Sequence, residues 1–149
     1  MMVWYRSFIL FFLAGFVVAC VGPSLKFGEF GHFVKAFEQA AEEHGRDLHI
    51  RHLEIEYGLT IPETAVASCY ILPLVAPHIS INRNLWQQIE PVCREMYLFH
   101  EMGHCVLYRR HSKKPKPGEL ADSLMSWNTL PCDAYLKNRN TYLQELFGQ

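Results

Sequence analysis

The residues with the clearest chemical potential lie in one short stretch, His100-Glu101-Met102-Gly103-His104. On a helix, residues four apart stack on one face, so both imidazoles can reach a single ion. Neutral imidazole suits Zn²⁺, whose tetrahedral preference leaves room for a third protein ligand and a water. Glu101 is turned about 100° from His100 around the helix. There it can sit beside a metal-bound water without ligating the metal, accept the water's proton and pass it to a leaving amine. This pattern predicts one zinc ion and metal-assisted hydrolysis with Glu101 as general base.

The motif works only on a helix, and the surrounding sequence supplies one. Val92, Met96, Tyr97, Phe99, Val106 and Leu107 are the apolar positions of a helix predicted over Glu90–Tyr108, with Pro91 in its first turn. It must stop near Tyr108–His111, because the lysine-, proline- and glycine-rich run 112–118 cannot continue it. Arg109, Arg110, Lys113, Lys114 and Lys116 form a basic patch that suits the negative end of the helix dipole.

Upstream, Phe30, Phe33, Val34, Phe37, Ala40 and Ala41 mark one face of a helix over Glu29–His44, with Gly45 as its stop. Leu48–Tyr57 nearly alternates apolar and polar residues and predicts a half-buried strand, with His49 and His52 at the surface rather than a metal pair. Residues 65–75 read as a second, more buried strand interrupted by Pro73, and 78–82 as a short third one headed by a structural His78. Leu85 and Trp86 begin a helical turn, and Asp133–Phe147 returns to helical spacing. The fold class expected is α+β: an N-terminal helix, a short antiparallel or mixed sheet, the motif helix, a loop and a C-terminal helix.

The chain has 149 residues, 50% hydrophobic and 19% charged, which is one domain and too apolar for a disordered chain. A formal net charge of -1 gives no basic field for nucleic acid. Part of the apolar content belongs to a leader. Arg6 precedes an apolar stretch from Phe8 to Val21, shorter than the ~20 residues a spanning helix needs, which reads as a secretory signal. Its end, Val17-Val18-Ala19-Cys20, resembles the bacterial lipobox. That resemblance implies cleavage after residue 19 and lipid on Cys20. The organisation expected is a signal peptide over 1–19, a lipidated Cys20 with tether over 20–27, and a catalytic domain over 28–149. Four cysteines remain, Cys69, Cys93, Cys105 and Cys132; in an exported chain an even number predicts disulfides in one of three pairings.

Phe99–Leu107, with the motif at its centre, resembles the zincin metallopeptidase helix. More narrowly, residues 78–149 are similar to small bacterial lipoprotein metallopeptidases with a HELGHC helix, a nearby downstream His, a Ser-Ile-Met segment and a C-terminal helix ending in ELFG. The corresponding residues here are His111, Ser123-Leu124-Met125 and Glu145-Leu146-Phe147-Gly148. The resemblance implies a zincin-like domain, with Met125 in a Met-turn under the metal and an edge strand, Ile79–Asn82, that pairs with extended substrate. Metzincins carry HExxHxxGxxH; here position 110 is Arg, and His111 stands eleven after His100. The third ligand is therefore open among His111, ranked first, Asp122 and Glu119. Trp127 takes the place of a Tyr that assists the metal in several metzincins. Cys105–Cys132 is the favoured disulfide, tying the motif helix to the segment after the Met-turn and leaving Cys69–Cys93.

The leading expectation is thus a monomeric zinc peptidase acting on peptides or proteins, lipid-anchored to a membrane of the bacterial envelope outside the cytoplasm. The alternatives are a non-catalytic lipoprotein with a structural zinc site, and an envelope binding module in which the motif is incidental.

Overall fold

The computed structural model describes residues 25–127 and 130–148; the leader and Cys20 lie outside them. The fold is α+β, with five helices and a mixed sheet. In chain order the elements are β1 (Leu25–Lys26), α1 (Gly31–Glu43), β2 (Leu53–Tyr57), β3 (Ala67–Tyr70), β4 (His78–Ile81), α2 (Arg83–Gln88), α3 (Arg94–Cys105), α4 (Cys132–Lys137) and α5 (Arg139–Phe147). The sheet order is β1-β2-β4-β3. β1, β2 and β4 run parallel, and β3 returns antiparallel to β4 with Tyr70 opposite His78.

α1 buries Val34, Phe37, Ala40 and Ala41 on the stripe its spacing predicts. Phe37 sits between the rings of Phe99 and Phe147, each with centroids 5.0 Å away and packed edge-on, so α1, α3 and α5 share one aromatic contact. From the sheet, Leu53, Ile55, Ile79 and Ile81 complete the core. α3 lies in the middle of this packing. Met96, Leu98, Phe99, Met102, Gly103 and Cys105 are buried, leaving one partly open stripe of Tyr97, His100, Glu101 and His104.

Four expectations are corrected. The helix predicted over Glu90–Tyr108 starts as a tight turn at Pro91–Cys93, becomes α-helical at Arg94 and ends at Cys105. The C-terminal helix is two, broken at Asn138. The edge strand beside α3 is β3, not the strand after residue 78: β4 is flanked on both sides, and its Ile79, Ser80 and Ile81 are all buried. The apolar run 65–75 is only half strand. It leaves the sheet after Tyr70, and Ile71, Leu72, Leu74 and Val75 stand in solvent.

The disulfides are Cys69–Cys105 and Cys93–Cys132, not the favoured pairs. Spacing could not reveal this, because the pairing follows the packing of β3 against the end of α3. Cys69–Cys105 fastens the edge strand to the last residue of α3, and Cys93–Cys132 joins the residue before α3 to the first residue of α4. Tyr135 and Arg139 both donate to Glu95 at 2.7 Å, closing the same corner. Among the described residues no helix is long and apolar enough to cross a membrane.

Candidate metal centre

The open stripe of α3 forms one wall of a cleft of about 890 Å³, faced by β3 and by the loop that follows α3. His100 and His104 project from this stripe four residues apart, with Glu101 between them. His111 comes from the loop. The three Nε2 atoms form a triangle with every side 3.2 Å. Among the described residues these three are the group of His, Cys, Asp and Glu side chains that could hold a metal ion.

How the chain brings His111 back is visible in the backbone. Val106 N–H bonds Met102 O at 2.8 Å, and Leu107 N–H reaches the same carbonyl at 3.3 Å. Tyr108 then takes a left-handed conformation, φ 55°, and Arg109 N–H bonds Gly103 O at 2.9 Å, one position further back than a left-handed helix stop normally reaches. The last turn is wider by one residue. Tyr108 thus makes the left-handed turn three residues before His111 and returns the chain toward α3.

The histidines are oriented from behind. Nδ1–H of His100 donates to Leu124 O at 2.7 Å, and Nδ1–H of His104 donates to Arg109 O at 2.6 Å. A carbonyl can only accept, so each ring carries its proton on Nδ1 and turns a bare Nε2 lone pair inward. Two bare lone pairs 3.2 Å apart cannot hydrogen-bond to one another, whereas a shared cation satisfies both. A tetrahedral ion with bonds of ~2.0–2.1 Å holds its ligand nitrogens roughly 3.3 Å apart. The donor set and its spacing therefore fit a single metal ion. Burial, and then the neighbouring imidazoles, push His100 down to about 4, and burial also lowers His104 and His111. All three therefore favour the neutral, ligating form.

Glu101 accepts a hydrogen bond from the Cys69 N–H of β3 at Oε2, 2.8 Å. Burial pushes its carboxyl up to about 8, opposed by that hydrogen bond. A dication alongside would favour the ionised form. Glu101 lines the cleft beside the histidines.

Met125 is fully buried, its sulfur packed against Gly103 on α3. A Cβ on residue 103 would lie 2.3 Å from Met125 Sδ, so only glycine lets the loop approach this closely. Met125 O accepts from Ser112 N–H at 2.8 Å, and Met125 N–H donates to Ser123 Oγ at 3.0 Å. The Trp127 ring lies 4.2 Å from that of His111, tilted by 30°.

Asp122 and Glu119, the other ligand candidates, are exposed and outside the cluster; Glu119 faces Lys116 at 3.8 Å. His78 is apart from it too, 3.9 Å from Glu56. His49 and His52 are at the surface, as their sequence pattern predicts. The supporting residues were the ones missed. Arg109 reads as a cation on a helix dipole, yet its guanidinium pairs with the Glu145 carboxylate and caps the carbonyls of Glu145 and Leu146 at 3.0 and 3.1 Å. Glu145 also accepts from Ser123 Oγ at 2.8 Å, linking α5 to both loop segments behind the histidines. The sequence signal was a carboxylate set among the buried Tyr142, Leu143, Leu146 and Phe147. The chain matches no protein-family model, no curated protein and no solved structure.

Proposed function

We propose that this chain is a zinc-dependent peptidase, with His100, His104 and His111 as ligands and Glu101 as general base, lipid-anchored through Cys20 on the outer side of an envelope membrane. The observation that carries the reading is the three-membered cluster with a carboxylate beside it. Three protein ligands leave one coordination position open, which is the arrangement of catalytic zinc sites rather than closed structural ones.

Zinc held there would acidify a bound water and polarise a scissile carbonyl. The protein's own part follows from its contacts. Cys69 N–H fixes one oxygen of Glu101, and the carboxylate so held would serve as the base that takes a proton from a water in the cleft and returns it to the leaving amine. The free edge of β3 offers main-chain groups to an extended substrate lying beside Glu101. Leu124 O and Arg109 O keep the ligand rings in place throughout.

Glu101→Gln tests this. It keeps the shape and the acceptor for Cys69 N–H but removes the base. The expected result is a folded protein with about one zinc per chain and turnover lowered ~10²–10⁴-fold on a peptide library and on envelope extracts. Equal cleavage by the variant, or a fourth protein ligand on the metal in an experimental structure, overturns the reading.

A further inference from the structure

Residues 71–77, Ile-Leu-Pro-Leu-Val-Ala-Pro, contain no charged or hydrogen-bonding side chain. They form the turn between β3 and β4 and project from the sheet. Ile71 is 49% exposed, Leu72 63%, Leu74 105% and Val75 59%. Leu74 is held at φ 67°, a conformation that an L residue with a branched side chain rarely takes. A run of exposed aliphatic residues on one turn is a surface that calls for a partner.

The topology says which partner. β1, β2 and β4 are parallel, with Leu25 opposite Leu53 and Glu54 opposite His78, so the chain enters the fold at the end of the sheet where the 71–77 turn protrudes. With strands ~4.8 Å apart, β1 and β3 are separated by about 14 Å across that end. Cys20 stands five positions before Leu25, and five residues reach at most about 17 Å. A lipid on Cys20 therefore holds the end of the sheet bearing the apolar turn close to the membrane. Exposed Arg51, two residues before β2, lies at this end as well and suits anionic headgroups.

We infer that the 71–75 turn is a membrane-contact tip which inserts its aliphatic side chains among the lipids and gives the anchored domain a fixed orientation. Tether and tip are two contacts across one end of the sheet, and two contacts restrict tumbling where a tether alone would not. Ile71 belongs both to the tip and to the wall of the cleft, so the cleft lies near the bilayer surface. The inference rests on the lipid anchor proposed at Cys20 but not on peptidase activity.

The test uses the full chain, expressed with its own leader and placed on vesicles of phosphatidylethanolamine and phosphatidylglycerol. An environment-sensitive fluorophore is attached at Leu72→Cys or, as a control, at Leu59→Cys. Leu59 is 85% exposed and follows the far end of β2. The expected result is a blue shift at position 72 and several-fold quenching by doxyl-labelled lipid, both abolished by Leu74→Ser with Val75→Ser. Position 59 should stay in water. Mass spectrometry of Cys20 separates the two readings. A lipidated, vesicle-bound chain with position 72 in water overturns the tip and leaves the anchor. An unlipidated chain that stays in the supernatant overturns both. Position 72 already shielded before vesicles are added overturns the membrane assignment in favour of a protein occupant or a second copy of the chain.

Discussion

His100 and His104 stand on a helix packed on two sides and bridged by a disulfide at each end, whereas His111 and Met125 stand on the irregular loop between α3 and α4. The helical pair owes its spacing to backbone periodicity. The loop owes its place to hydrogen bonds from outside it, and two of these come from the histidines themselves, to Arg109 O and Leu124 O. The rings that would hold the ion therefore also hold the backbone that delivers the third ring. One half of the centre is stable in its own right, while the other is coupled to the ligands.

The largest effect should come from His104→Ala, which removes a ligand and the donor to Arg109 O together. Zinc retention after dialysis, about one equivalent per wild-type chain by elemental analysis, should fall to none. Chelation should reproduce the loop's part alone, with faster amide exchange over 108–127 and unchanged protection in α3, β2 and β4. Uniform loss of protection would abolish the distinction between the halves. A smaller effect is expected from Gly103→Ala. The methyl improves helix propensity by ~1 kcal/mol but drives into Met125, an overpacking cost of ~1–3 kcal/mol. A net loss of about 1 kcal/mol in urea unfolding is expected; a gain would mean that the loop yields freely. The smallest is Glu145→Gln, one bond further from the metal. Substitution of groups that orient ligands costs ~10–100-fold in metal affinity, so a loss below about 10-fold is expected here, measured by competition with a chelating dye. A loss as great as that for His104→Ala would place the loop's support in α5 rather than in the histidines.

The same division governs what could be read from the sequence. α1 and the motif helix were legible because burial imposes a helical period on them, and His100, Glu101 and His104 came with the helix. His111 could be ranked but not placed, because the wide turn at Met102–Tyr108 is a hydrogen-bonding choice with no residue signature; Tyr108 is not a glycine. Asp122, ranked second, is chemically able to ligate and falls outside the cluster only through where the loop folds. The disulfides were misassigned because Cys69 meets Cys105 through the sheet order, and sheet order is set by packing rather than by local pattern. Residues 71–75 were read as the end of a buried strand because aliphatic side chains look the same in sequence whether they lie in a core or on an exposed turn. The Glu145–Arg109 link was hidden because it joins residues 36 apart in sequence.

Helices lose their order by fraying, one turn at a time from a free end. α3 has no free end: a cross-link leaves the residue before it and another leaves its last residue. Partial melting is closed to it, so the helix is lost only when a larger part of the fold goes with it. His100 and His104 thus keep their alignment whether or not an ion is present. An arriving ion meets two ligands already in register and has only the third to gather, so little ordering entropy is charged against its affinity.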